Sequence, residues 1–176
     1  RLSLFADLRQ AAPDPAIVDV FCIKYDYHNA KVLLKAEATS QSPDELLLDA
    51  GRYPAARLKE DYLQGGLGRY SDTFAQALAQ AKELLSSSGD PQAADLLLDR
   101  AYYAEMLAAA RAANSPFLEG YVQLSIDSAN LRSVVRAVRM GKGPDFLRRV
   151  LLPDGSIGTN SLLAAAAGTT DLAAVF

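Results

Sequence analysis

Residues 11–46 match residues 112–147 without a gap when the sequence is slid along itself by 101 positions, and this internal repeat constrains the chain more than any other feature. Nine of the 36 aligned pairs are identical, among them Pro15/Pro116, Asp26/Asp127, Asn29/Asn130, Pro43/Pro144, Asp44/Asp145 and Leu46/Leu147. Conservative pairs such as Ile23/Leu124, Lys31/Arg132, Leu33/Val134 and Lys35/Arg136 fill much of the rest. A shared taste for helix formers does not place prolines and polar residues at one fixed offset, so the register implies one supersecondary unit laid down twice. It divides the chain into a first helical repeat unit, residues 1–88, incomplete at its N-terminal end, and a second, residues 89–176, incomplete at its C-terminal end. The chain is therefore expected to be a fragment of a longer repeat protein.

The repeated unit reads as helical throughout. The chain carries 31 Ala and 27 Leu against 13 Val plus Ile, a balance that favours helix over strand. Apolar residues recur at helical spacing from Pro15 to about Ala38. Ser42-Pro43-Asp44-Glu45 has the form of a capping box and predicts a short helix ending near Gly51. Further helices are expected from Pro54 to Gln64, from Ser71 to about Leu85, from Asp90-Pro91 to about Ala113, and from Ser115-Pro116 to Met140. Short helices follow at Pro144–Leu152 and from about Ser161. No alternating strand pattern stands against them. The fold class is all-α, built from pseudo-repeated units.

Within both long repeated helices a carboxylate interrupts an apolar stripe. Asp127 falls on a face with Leu124, Leu131, Val134 and Val138, and Asp26 lies between Ile23 and Ala30. A carboxylate turned to a core needs hydrogen-bond partners. Asn29 and Asn130, three residues on, supply amides nearby. Asp26, Asn29, Asp127 and Asn130 read as polar braces that set how helices meet. Because a catalytic residue need not occur twice, the repetition favours a brace over an acid–base site.

Arg132, Arg136 and Arg139 lie on one face of their helix and offer a basic surface for an acidic partner or anionic lipid headgroups. His28 has no counterpart in the second unit, where Ala129 stands, and no nucleophile motif accompanies it. One cysteine, Cys22, and one histidine are too few for a structural zinc site. Gly141-Lys142-Gly143 lacks the earlier glycine and the following Ser or Thr of a phosphate-binding loop, and Gly65-Gly66-Leu67-Gly68 follows a helix rather than a strand. No cofactor, metal or ATP site is expected. A net charge of −3 and a pI near 5.1 speak against nucleic acid. The longest Ala/Leu run, Leu162 to Ala167, falls far short of the roughly 20 apolar residues that span a bilayer.

Several segments resemble one known family in order and spacing. Lys24-Tyr25-Asp26-Tyr27-His28-Asn29-Ala30-Lys31-Val32-Leu33-Leu34-Lys35 resembles a signature of the C/d family of the V/A-type ATPases, lettered C in bacteria and archaea and d in eukaryotes. Pro116-Phe117 to Tyr121 with Ile126-Asp127-Ser128-Ala129-Asn130-Leu131-Arg132 is similar to the family's second such block. Leu98-Asp99 to Tyr102-Tyr103 and Leu151-Leu152-Pro153-Asp154-Gly155-Ser156-Ile157 also fit, so the likeness covers most of residues 17–160. Only part of the family's length is present, and Arg52 to Gly89 matches no specific motif. The resemblance implies three similar helical units around a funnel. It also implies a non-catalytic central-stalk protein, peripheral to the membrane on its cytoplasmic side, joining the central shaft to the membrane rotor ring. Outside that resemblance, a generic all-α adaptor or scaffold is the alternative, and a small helical enzyme using Asp26, His28 or Asp127 is a third.

Overall fold

The computed structural model describes residues 4–168, so Arg1 and Phe176, the outer ends of the two expected repeat units, lie outside the described residues. Among those residues the secondary structure is eight α-helices and one 3-10 turn, with no strand. They are α1 (Leu4–Ala11), α2 (Pro15–Thr39), α3 (Ala55–Gln64), α4 (Asp72–Ser88), α5 (Pro91–Ala112), α6 (Pro116–Arg139), α7 (Pro144–Val150) and α8 (Thr159–Ala166). The all-α class read from the sequence is therefore the class observed.

Local chemistry starts these helices where the sequence places them. Asp14, Asp90 and Ser115 cap α2, α5 and α6, each followed by proline in the first turn. Ser71 caps α4 by accepting from the Phe74 N–H at 3.2 Å. Two expectations need correction. α4 runs past the expected end near Leu85 to Ser88, where a left-handed Gly89 closes it, and Ser87 and Ser88 donate their hydroxyls to the Leu84 carbonyl at 3.2 and 2.6 Å. The capping box at Ser42 starts no helix, only a single turn over 44–46. Ser42 bonds the Asp44 carboxylate, and the backbone beyond it is claimed by side chains of α2.

The residues divide into two compact units, Arg1–Asn114 and Ser115–Phe176. In the first, α2 is the central rod, packed by α4 and α5 and flanked by α1 and α3. Ile23, Tyr27, Leu33 and Leu34 meet Phe74, Leu78, Ala94 and Leu98 in its core. Tyr27 and Phe74 pack edge to face with ring centres 5.2 Å apart. α5 packs here with α2 and α4, although the repeat register groups it with the helices after it. In the second unit α6 is packed by α7 and α8, around Val134, Ala137, Leu147, Leu151 and Leu162.

Candidate functional site: two Asp/Asn clamps

Asn29 is fully buried in α2 and grips one residue of the following loop by both backbone groups. Its Nδ2 donates to the Leu48 carbonyl at 2.8 Å, and its Oδ1 accepts from the Leu48 N–H at 2.9 Å. Asp26, one turn earlier and also fully buried, accepts from the Tyr53 N–H at 3.3 Å. Between these two grips the loop passes so close that a Cβ on Gly51 would collide with the Asp26 carboxylate. His28 Nε2 donates to the Leu46 carbonyl at 3.0 Å from an exposed position on the same helix.

The second compact unit repeats the two-way Asn grip and the Asp–backbone bond. Asn130 Nδ2 donates to the Leu152 carbonyl at 2.9 Å, and its Oδ1 accepts from the Leu152 N–H at 2.7 Å. Asp127 accepts from the Ile157 N–H at 3.1 Å and from both the backbone N–H and the hydroxyl of Ser156. A Cβ on Gly155 would strike Asp127. Asn29 reaches 19 residues along the chain and Asn130 reaches 22, so α7 forms inside a segment three residues longer.

The two clamps differ in what lies under the carboxylate. Where Asp127 meets Ser156, Asp26 meets Arg52, whose Nε donates to Asp26 Oδ2 at 2.6 Å. Arg52 Nη1 donates to Glu105 of α5 at 2.8 Å, and its guanidinium lies 4.9 Å from the centre of the Tyr53 ring. Glu105, 8% exposed, also accepts from the Tyr27 hydroxyl at 2.7 Å and from the Ser71 hydroxyl. Burial pushes the Asp26 carboxyl up to about 6, although the bond and charge of Arg52 pull the other way. Burial also disfavours the Arg52 charge, but its bonds to Glu105 and Asp26 outweigh this and hold the guanidinium above its ordinary range. Tyr27 is raised by burial and by its bond to Glu105. Both oxygens of the enclosed Asp26 carboxylate are thus engaged, Oδ2 by Arg52 and Oδ1 by the Tyr53 N–H.

The structure brings Asp26 together with Asn29 in one clamp and Asp127 with Asn130 in another. Arg132, Arg136 and Arg139 lie on α6, and Arg132 Nη1 donates to Ser128 at 2.9 Å. The stripe expected around Asp127 needs correction. Val134 is buried and Leu131 half-buried, but Leu124 is 68% and Val138 53% exposed. Val134 and Ala137 are the α6 residues that pack with Leu147 of α7 and Leu162 of α8, and Val122, Ile126 and Asn130 are also buried. Sequence reasoning did not single out Arg52, Glu105, Gly51 or Ser156. The one usable signal was the Gly-x-Tyr and Gly-x-Ile spacing after Leu48 and Leu152, which appears only when the offset is raised from 101 to 104.

The ATP synthase (C/AC39) subunit family matches residues 2–176, nearly the whole chain. The chain belongs to that family. Among its relatives, the C subunit of the V-type sodium ATPase of Enterococcus hirae is 29% identical over 164 residues, 93% of this chain and 50% of that protein. The C subunit of the V-type ATP synthase of Thermus thermophilus is 26% identical over 132 residues, 73% of this chain and 41% of that protein. This C/AC39 family chain thus spans about half the length of the curated relatives it matches.

Proposed function

We propose that the chain is part of a non-catalytic central-stalk subunit of a V/A-type rotary ATPase, which couples the shaft to the membrane rotor ring in ion transport or ATP synthesis. The observation that carries this reading is the family match across residues 2–176, with relatives named as the C subunits of V-type enzymes. The chemistry of the clamps agrees with it. A coupling part needs stiffness, and close-packed helices with loops pinned by buried bonds resist compression and pass strain on. Asp26, Asn29, Asp127 and Asn130 are then structural braces that fix each loop on its helix. Arg132, Arg136 and Arg139 form a docking face for an acidic protein surface. Association with the membrane is peripheral, on its cytoplasmic side, and runs through the complex. No helix among the described residues is long and apolar enough to cross a membrane.

The test is recovery of the tagged protein from membranes of its source cells after mild solubilisation. Shaft and ring proteins are expected to co-purify in fixed ratio, with ATP hydrolysis in the recovered complex. Recovery of the chain without other ATPase components, under conditions that keep the complex whole, would return the protein to the class of generic helical scaffolds.

A further inference from the structure

The backbone after each repeated helix ends in the same two-way Asn grip, yet the two approaches to it carry opposite charge. Counted back from the gripped residues Leu48 and Leu152, Asp44 and Glu45 correspond to Arg148 and Arg149. All four are exposed. One approach works with acids and the other with bases, so the grip itself demands neither sign.

Positive charge gathers around the second approach. From Arg132 to Arg149 the sequence holds six cations, all exposed, and one acid, Asp145, a net of +5. The rest of the chain holds the other 12 cations and 20 acids, a net of −8. Among these cations α6 ends in a bare tip. Gly141 turns the chain at φ 63°, and neither Gly141 nor Gly143 has a neighbour within 4 Å of where a Cβ would stand. Lys142, between them, is exposed, and Met140 and Val138 just before are 55% and 53% exposed. A groove for a peptide needs walls, and the glycines of this tip have none. A fluid, negatively charged sheet needs no walls. Long cationic side chains lay their charge among its headgroups, and an unbranched apolar side chain enters between them.

We infer that the tip joining α6 to α7, with Met140, Lys142, Arg148 and Arg149, rests on anionic phospholipid headgroups. It lies past the Arg132, Arg136 and Arg139 face, at the end of α6. The acidic remainder of the chain is repelled by the same surface, which confines attraction to this corner. The contact rests on the membrane-peripheral reading and adds a direct one to the association through the complex.

The test sediments the chain with vesicles of phosphatidylcholine, alone or mixed with phosphatidylglycerol, at low ionic strength. No other ATPase component is present, so a negative result leaves the coupling role to the co-purification experiment. Partitioning at least about tenfold stronger into the anionic vesicles is expected, weakening as salt is added. Lys142→Glu with Arg148→Glu is expected to weaken it at least about tenfold, whereas the same charge change at the exposed Lys24 and Arg69 of the first unit costs less than about threefold. Because the sequence has no Trp, Met140→Trp reports the tip alone. Its emission is expected to shift to the blue on anionic vesicles and to stay unchanged with soluble polyglutamate. Equal partitioning into both kinds of vesicle (apolar faces alone), none into either, or equal losses from the two double variants (net charge alone) would overturn the inference. So would a blue shift with polyglutamate and none with vesicles, the mark of an acidic protein partner.

Discussion

Asp26 is a single carboxylate whose surroundings make a measurable demand. It is enclosed with Arg52 of its own loop and within reach of Glu105 and Tyr27, so two acids share one base. Its carboxyl is raised to about 6, whereas an ordinary unfolded aspartate titrates near about 4. Between those values the folded state binds more protons than the unfolded state, and stability falls as pH rises. Relative to Asp26→Asn, the wild type is expected to lose about 1–3 kcal/mol of unfolding free energy between pH ~4 and ~6. Denaturant titrations of both proteins across that range check this; a constant difference would contradict it. Asn29 makes the second demand. Asn29→Ala strands both backbone groups of Leu48 and is expected to destabilise the chain by ~1–3 kcal/mol. Chemical denaturation measures the loss, and Asn130→Ala is the control for the other unit.

At the scale of elements, sequence signals decided the long helices and failed at the loops. Asp14, Asp90, Ser115 and the prolines after them act within one turn of the backbone, so they were legible. The capping box at Ser42 is as good a local signal. Its helix is absent because Asn29, 19 residues away, takes the Leu48 N–H and carbonyl that a helix would have used internally. Three more residues before Leu152 allow α7 to close and still deliver that backbone to Asn130. Gly155 belongs to this scale, because its lack of a side chain lets the loop after α7 lie against α6. Gly155→Ala forces Asp127 aside and is expected to cost about 1–3 kcal/mol through overpacking. Faster hydrogen exchange at the Ser156 and Ile157 amides would accompany that loss, and unchanged exchange there would count against the close approach.

For the whole molecule, the all-α class and the family were legible in composition and in the order of a few motifs. The network around Glu105 was not. Its partner Tyr27 lies 78 residues away, and nothing in the spacing of a helix reports a contact of that range. The face of α6 was misread for a related reason. Helical periodicity marks which residues are apolar, but the elements that arrive, here α7 and α8, decide which of them are covered. Leu124 and Val138 have the hydropathy of core residues and the exposure of surface ones.

The paired grips on Leu48 and Leu152 have a consequence for how such modules drift apart. Each loop is moored at two points whose spacing is the same in both units, Leu48 to Tyr53 and Leu152 to Ile157, and the slack lies between the end of the helix and the first mooring. One module runs the shortest route from rod to anchor, while its sister spools three extra residues into a turn of helix. Extra residues ahead of the first mooring leave the anchor and the loop after it in place. The two loops therefore align on their moorings, with the length difference assigned to the rope that leads to the first of them.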